Sequence, residues 1–405
     1  MPKASNPEAR SVLEQETFPI VGWAGLSGEM IRPETMRDMA EAGFTVNHTW
    51  AREDDDLVAQ LDVAAEAGVR LLLCHPAWHV WDDYKLTAKR KRQIRDIVAR
   101  VKDHPGLYMY YVRDEPVVDE LKRIAPVAAL IRELDPYHTV YVNHFPPIEG
   151  WGAPSVEEFY RRVFELLDPA LLSYDLYSIC VASEKELAGE GDAPWRFPHA
   201  KIRVKPHFYR ALELFRSMSI ARGLPFWAFA MSQRHLQYPT PTEGHLRFQL
   251  MSALAYGARG LQYFTYAQGG LVHDDGTRTA TWDTARMINR GIHTWAPTLR
   301  SLRSIGVYHH GPLWPMNREV PADFCTVEGD PVCLGHFAGQ DNMTYVLVVS
   351  KNPCDWSLVH LKWPEGTQDV SGLDPRTGKW GYASANLTLA PGEGRLLRLV
   401  GKKRS

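Results

Sequence analysis

The chain has 405 residues, of which 45% are hydrophobic and 23% charged, and its 46 Lys and Arg residues nearly balance its 48 Asp and Glu residues. This composition is typical of globular proteins and excludes collagen-like and disordered chains. Because the net charge is only −2 and no basic block occurs, we expect neither nucleic acid nor a membrane surface as a partner.

The cellular compartment is inferred from cysteines and from apolar runs. Five cysteines stand far apart and none forms a Cys-x-x-Cys pair, so neither a disulfide framework nor a thiolate zinc site is predicted. Charged residues interrupt the first twenty positions, and no stretch is apolar enough to cross a bilayer. We therefore expect a cytoplasmic protein with free thiols. The sequence leaves the oligomeric state open, a homo-oligomer included.

Residues 1–17 are predicted to be an N-terminal arm, and from residue 18 to 303 short apolar runs alternate with amphipathic segments. The predicted strands are Pro19–Ala24, Phe44–Trp50, Val69–His75, Leu107–Arg113, His138–His144, Leu171–Tyr177, Pro225–Ser232 and Gly260–Tyr266. The predicted helices include Arg52–Ala67, Ala88–Asp103, Val117–Leu134, Val156–Leu167, Ile202–Arg222, Thr242–Tyr256 and Trp282–Arg303. Eight such units match the α/β class and the size of a (β/α)8 TIM barrel. A doubly wound sheet would instead carry a Gly-rich phosphate loop after its first strand.

Glycines are expected to close four of the helices, because glycine accepts the left-handed conformation at a helix end. They are Gly43, Gly68, Gly223 and Gly260, each followed by an apolar run. Beyond the barrel, residues 304–405 show short alternating runs separated by turn clusters and no helical period. This pattern predicts a small C-terminal antiparallel β-sandwich.

The active site of a (β/α)8 barrel lies at the carboxyl ends of its strands. The predicted strand ends gather aromatic rings, imidazoles, amides and three carboxylates. Aromatic faces that pack on sugar C–H groups, edged by hydrogen-bonding side chains, are what a carbohydrate cleft requires. The sequence therefore predicts a carbohydrate substrate and no cofactor.

The segment Tyr110–Pro116 carries the strongest signal, since Asp114 and Glu115 stand together at the end of the fourth strand. Adjacent strand residues point to opposite sides, so one carboxylate is expected in the barrel mouth and the other against the loop. A Glu among aromatic rings has a raised pKa and suits the protonation of a leaving oxygen. The alternative is that both residues form surface ion pairs or cap the following helix.

Arg113-Asp114-Glu115-Pro116 resembles the strand-4 acid motif of glycoside hydrolase clan A, whose families usually carry Asn-Glu-Pro. The likeness is greatest to family 42 β-galactosidases and to bacterial relatives with Arg-Asp-Glu-Pro. Further stretches that resemble this clan are Ser173–Tyr177, Pro225–Ala230, Ala255–Tyr266 and Gly276–Thr279. The resemblance implies a glycosidase in which Glu115 is the general acid.

Two positions depart from the clan pattern. Asp114 replaces the Asn that binds the sugar 2-hydroxyl, although a carboxylate can still accept a hydrogen bond from a hydroxyl. The clan's nucleophilic Glu at the end of strand 7 has no counterpart, because that strand offers only Ala228, Ala230, Ser232 and Gln233 there. The best-placed second carboxylate is Asp175, either as the base of an inverting reaction or as a nucleophile. It could alternatively bind sugar hydroxyls or orient Arg113.

The remaining predicted substrate contacts are polar and aromatic side chains at the strand ends. They are Asp114, Arg113, Trp23, His48, Trp50, His75, Asn143, His144, Tyr177, Trp227, Gln233, Tyr263 and Tyr266. Two further functions stay open. One is a carbohydrate-binding pseudoenzyme, suggested by the missing strand-7 Glu. The other is a metal-dependent barrel hydrolase or isomerase, suggested by the spacing of His75 and His79, although the first strand lacks the His-x-His of amidohydrolase-like barrels.

Overall fold

The computed structural model describes residues 12–14, 17–189 and 195–401. Most of the predicted N-terminal arm therefore lies outside the described residues. In chain order the strands are β1 (Ile20–Trp23), β2 (Val46–Trp50), β3 (Arg70–Cys74), β4 (Leu107–Asp114), β5 (Thr139–Asn143), β6 (Leu172–Tyr174), β7 (Ile179–Val181), β8 (Arg196–Phe197), β9 (Ile202–Val204), β10 (Phe226–Met231), β11 (Gly260–Phe264), β12 (Arg303–His309), β13 (Thr326–Gly329), β14 (Val332–Ala338), β15 (Thr344–Ser350), β16 (Ser357–Lys362), β17 (Thr367–Leu373), β18 (Trp380–Tyr382), β19 (Asn386–Leu389) and β20 (Gly394–Gly401). The helices are α1 (Pro33–Glu41), α2 (Leu57–Glu66), α3 (Ala88–Val101), α4 (Leu121–Leu134), α5 (Val156–Leu167), α6 (Glu184–Leu187), α7 (Phe208–Arg222), α8 (Glu243–Ala255) and α9 (Ala280–Ser301).

Eight parallel strands form the predicted barrel. Their order is β5-β4-β3-β2-β1-β11-β10-β6, and the two edge strands meet where the Asp175 amide donates to the His144 carbonyl at 3.3 Å. Alternate residues point inward, so one apolar cluster fills the barrel and another lies between its wall and the helices. The TIM-barrel prediction is confirmed.

Two predicted helices start too early. The helix predicted from Arg52 begins at Leu57, after the capping side chain of Asp56, and the helix predicted from Ile202 begins at Phe208. Residues 202–204 do not begin a helix but form β9, which pairs with β7 and β8 in a three-stranded antiparallel sheet between β6 and α7. Pro206 restricts Lys205 to an extended conformation, so α7 starts only at Phe208. This small sheet follows Asp175 in the chain and carries Lys205 toward the barrel mouth.

The glycine predictions hold at three helix ends and fail at the fourth. Gly43, Gly68 and Gly223 have positive φ angles, whereas α8 ends earlier than expected and Gly257, with φ +87°, follows it instead of Gly260. Gly260 begins β11, where an added Cβ would lie 2.5 Å from the indole of Trp227. Gly260 is therefore needed because the Trp227 ring packs against its backbone, and not because the chain turns there.

The C-terminal strands form two antiparallel sheets, one ordered β12-β14-β15-β20-β17-β18 and the other β13-β16-β19. Side chains from both sheets share one apolar core, as the predicted sandwich requires. β14 and β15 also pack against α8 of the barrel, and nearly all of α8 is buried as a result. No helix among the described residues is long and apolar enough to cross a membrane.

Candidate active site

The site begins with an irregularity in β4. The register with β5 shifts between Tyr111 and Arg113, so that Asp114 lies opposite Asn143. A bulge changes which side chains face inward, and here both Tyr111 and Asp114 lie on the inner side while Arg113 is turned away. Asn143 Nδ2 donates to Asp114 Oδ1 at 3.1 Å. The two carboxyl groups of Asp114 and Glu115 were expected to point to opposite sides of the strand. Both lie at the barrel mouth instead.

Glu115 follows at a sharp turn of the chain. Its φ of +42° lies in the left-handed region, and its amide donates to the Asn143 carbonyl at 2.9 Å. Its carboxyl group is hydrogen bonded to that of Asp175, which comes directly after β6. Asp114, Glu115 and Asp175 thus form one carboxyl cluster at the ends of β4 and β6.

Burial and mutual repulsion change the acidity of this cluster. Burial, then the charges of Glu115 and Asp114, raises the pKa of Asp175 well above its ordinary value. Burial raises the pKa of Glu115 as well, although the hydrogen bond from Asp175 opposes the shift. Burial also raises the pKa of Asp114, against the hydrogen bonds that it accepts. Carboxyl groups in such contact share a proton rather than ionise together.

Aromatic rings form the inner wall. The ring of Trp23 lies 4.2 Å from the imidazole of His48 and 5.2 Å from the ring of Tyr111, centroid to centroid. Trp50 contacts His48 and His79, and it stacks on Trp81 at 5.7 Å. Trp81 is 48% exposed, so this aromatic wall reaches from the barrel interior to the surface.

The two imidazoles in the wall are neutral at physiological pH. Burial, with a smaller contribution from His79, lowers the pKa of His48 to about 3. Burial, with a smaller contribution from Arg113, lowers the pKa of His79 to about 3. Neutral imidazoles can each offer one donor and one acceptor to a hydroxyl group.

Several buried polar atoms in the mouth have no hydrogen-bond partner. They are His48 Nε2, both ring nitrogens of His79, the Tyr177 hydroxyl and Asp175 Oδ1. Buried polar groups are nearly always satisfied, and this cluster of unsatisfied atoms lies around the carboxyl groups. The arrangement is suited to a ligand rich in hydroxyl groups.

A chain of buried hydrogen bonds supports the cluster from below. Asn143 Oδ1 accepts from Ser173 Oγ at 2.9 Å, and Ser173 Oγ lies 2.6 Å from the Tyr141 hydroxyl. Gln262 Nε2 donates to Ser173 Oγ at 2.9 Å, and its Oε1 accepts from Tyr141 at 2.8 Å. The chain connects β5, β6 and β11 and fixes the amide that holds Asp114.

Arg113 does not enter the mouth as predicted. Its guanidinium donates to Glu120 at 2.7 Å, to Asp82 at 3.1 Å and to the Val80 carbonyl at 3.1 Å. The bulge in β4 turns it outward, where it connects the loop after β4 with the loop after β3. Arg113 is therefore placed to support these loops, and Asp175 does not orient it.

His75 and His144 also lie outside the mouth, contrary to the prediction. His75 packs on Trp78 at 5.0 Å, and its Nδ1 accepts from the Ala77 amide. His144 lies against Phe159 of α5, and its Nδ1 donates to the Ser173 carbonyl, 3.1 Å away. Both occupy outward positions of their strands. His75 and His79 thus stand on opposite sides of the wall, and no group of three His, Cys, Asp or Glu side chains that could hold a metal ion occurs among the described residues.

Three predicted aromatic contacts are placed elsewhere. Trp227 begins the inner face of β10 at the opposite end of the barrel, where it pairs with Gly260 and stacks on Tyr108 at 6.1 Å. Tyr263 points outward, and its hydroxyl donates to Asn289 of α9 at 2.7 Å. Tyr266 is fully buried and packs on Phe44 between wall and helices.

Of the remaining predicted contacts, Tyr177 lies near the cluster. Tyr177 is in electrostatic range of all three carboxyl groups and packs on Phe264 at 5.4 Å. Gln233 is half-buried in the loop after β10, and residues 226–238, which include that strand end, contain no carboxylate. Sequence reasoning missed Tyr111 and Phe264, whose inward orientation depends on strand register.

The fold of nearly the whole chain is similar to that of known structures. No protein-family model and no curated protein matches the sequence. Among solved structures, a glycoside hydrolase family 5 protein from Bacteroides vulgatus is similar with a TM-score of 0.56 and 13% identity, covering 95% of this chain and 89% of that one. A second glycoside hydrolase has a TM-score of 0.56 and 12% identity, with 96% and 93% covered. At such low identity the likeness establishes the fold, a TIM barrel with C-terminal sheets, and the family 42 resemblance stays a prediction.

Proposed function

We propose that the protein is a glycoside hydrolase that cleaves an O-glycosidic bond of an oligosaccharide or small glycoside. The observation that carries the proposal is the hydrogen-bonded pair of Glu115 and Asp175 inside an aromatic mouth. A proton held at raised pKa beside a bound glycosidic oxygen is the requirement for general acid catalysis. The folds of the two similar structures, both glycoside hydrolases by name, agree with this function.

In the proposed reaction the pair works as one acid. Asp175 holds the proton and donates to Glu115, and Glu115 transfers a proton to the departing oxygen as the anomeric C–O bond breaks. The negative charge left on the pair and on Asp114 stabilises the cationic sugar. Water then adds its hydroxyl to the anomeric carbon, and its second proton returns to the pair. Asp114, Asn143 and the neutral imidazole of His48 would hold sugar hydroxyls.

The role of Asp175 differs from the one expected from the sequence. A base in an inverting enzyme stands about 6.5–9.5 Å from the acid, and a nucleophile about 5–5.5 Å. Carboxyl groups that share a hydrogen bond are closer than either separation. Asp175 therefore enters the proposal as the proton partner of Glu115, and the anomer of the first product, observed by NMR, would distinguish inversion from retention.

The decisive test is Glu115→Gln, assayed on a panel of methyl glycosides and disaccharides, whose leaving oxygens need a proton as the C–O bond breaks. Because general acid catalysis contributes about 10²–10⁴-fold, kcat/KM should fall by at least about 100-fold. Glu149→Gln is a matched control, since Glu149 is exposed in the loop after β5 and should retain activity. A loss of less than twofold in Glu115→Gln would reject the acid role.

A second candidate is a carbohydrate-binding protein without turnover. It is favoured by the end of β10, where Met231 and Gln233 stand and no carboxylate faces the pair. Calorimetry on the wild-type protein distinguishes the two functions. Sugar binding with no hydrolysis of any glycoside in the panel would select the binding function.

A further inference from the structure

Among the residues that the structure describes, the carboxyl cluster has no cation bound only to it. Arg113 and Lys205 are the cations that act on it among the described residues, and other groups hold both of them. The Arg113 guanidinium is bound outward to Glu120 and Asp82. The Lys205 ammonium donates to the Tyr238 hydroxyl at 2.5 Å and lies 4.7 Å from the centre of that ring.

The imidazoles of the wall do not supply the missing charge either. His48 and His79 are buried among the rings of Trp23, Trp50 and Tyr111, and burial keeps the pKa of each at about 3. They are therefore neutral wherever the carboxyl groups can ionise. The mouth combines three carboxyl groups with aromatic faces, and both kinds of group attract an organic cation.

A second feature beside the cluster is a buried hydroxyl without a partner. The Tyr177 side chain is 9% exposed, and its hydroxyl has no hydrogen-bond partner. It lies within electrostatic range of Asp175, Asp114 and Glu115. An unsatisfied hydroxyl beside three carboxyl groups leaves a polar position that a bound molecule can fill.

We propose that the natural ligand carries a positive charge, and specifically that the site takes glycosides of amino sugars with a free ammonium group. This inference rests on the proposed function and narrows its substrate class. The ammonium would donate to Asp114 and Asp175 while the sugar ring packs on the aromatic wall. An anionic sugar would be repelled by the same carboxyl groups.

Binding of a cationic ligand should also change the number of protons that the protein holds. The carboxyl groups hold protons because burial and mutual repulsion disfavour their ionised forms. A bound ammonium reverses that preference, so binding should release protons to the buffer. A neutral sugar of the same shape should release fewer. Calorimetry in two buffers of different ionisation enthalpy measures this number directly.

The experiment compares glucosamine with glucose, galactosamine with galactose, and the matching 4-nitrophenyl glycosides, with the N-acetyl forms as uncharged controls. At pH 6 we expect the amino sugar, with its ammonium group, to have an affinity or kcat/KM at least tenfold higher than the sugar with a hydroxyl group at that position. Its binding should release protons from the protein. Asp114→Asn, which keeps an acceptor for Asn143, should lower this ratio about tenfold, while Glu149→Gln should preserve it.

The outcomes separate the two proposals. If neutral glycosides are cleaved as well as or better than the amine forms, the cationic-ligand inference is overturned and the hydrolase stands. If amine forms bind preferentially without any cleavage, the inference stands and the hydrolase function fails. If no sugar in the panel is bound or cleaved, both are rejected.

Discussion

Glu120 offers a sharp test of how the loop after β4 is held. It lies in the short turn before α4 and is 8% exposed. Its Oε1 accepts from Arg113 at 2.7 Å and from Arg123 at 3.0 Å, and its Oε2 accepts from the Val117 amide at 2.9 Å. Glu120→Ala removes all three contacts next to the segment that carries Asp114 and Glu115.

The magnitude follows from the exposure of each partner. The contact with Arg113, whose side chain is 14% exposed, contributes about 1.5–3 kcal/mol as a charged hydrogen bond. The amide contact adds about 1 kcal/mol, and the contact with the more exposed Arg123 adds at most about 1 kcal/mol. Arg113 keeps its hydrogen bonds to Asp82 and to the Val80 carbonyl. We therefore expect the free energy of unfolding to fall by about 2–4 kcal/mol.

Guanidinium unfolding followed by tryptophan fluorescence measures the loss. Asp119→Ala serves as the control, since Asp119 is exposed in the same turn and should change the free energy of unfolding by less than about 0.5 kcal/mol. Glu120→Gln, which retains an acceptor oxygen, should fall between the two. A Glu120→Ala protein as stable as the control would refute the reasoning that this network supports the loop.

Further predictions concern pH and the two ends of the barrel. Since folding raises the pKa of Asp175, the folded protein binds more protons than the unfolded chain above about pH 4, and stability should fall as pH rises through the folded pKa. Asp175→Asn should weaken this decline, as measured by unfolding between pH 4 and 8. The kcat of the wild type should decrease at alkaline pH as the proton shared with Glu115 is lost. Trp227→Ala should cost about 3–5 kcal/mol of stability while sugar affinity, measured by calorimetry, stays within twofold, because Trp227 lies at the far end of the barrel. Gly260→Ala should also lower the free energy of unfolding, because its methyl group would meet the Trp227 indole.

The barrel could be predicted from the sequence because its signals are local. Apolar runs of strand length, amphipathic helices and glycines such as Gly43 each report on a few neighbouring residues. The position of Glu115 at a strand end follows in the same way. The exception at β9 also has a local cause, Pro206, whose effect on Lys205 was visible in the sequence.

The direction of individual side chains depends on register and could not be predicted. A single bulge in β4 turns Arg113 outward and brings Asp114 in. Tyr263 and Gln262 are neighbours in β11, yet one contacts α9 and the other lies inside the barrel. The sequence of a strand shows that successive side chains point to opposite sides. It does not show which alternate set faces the barrel interior. The Glu115–Asp175 contact depends on three strands meeting, which no local pattern encodes.

The close seating of the C-terminal sheets on α8 bears on how the protein can be divided. A Cβ on Gly335 of β14 would lie 2.2 Å from the Ala255 carbonyl oxygen, so strand and helix backbones touch with no side chain between them. A fragment ending at residue 303 would leave the apolar side of α8 open to water, and we expect it to aggregate during expression. The barrel and the C-terminal sheets should therefore be expressed and engineered as one unit. Joining another barrel to these sheets would require the same close contact at Gly335.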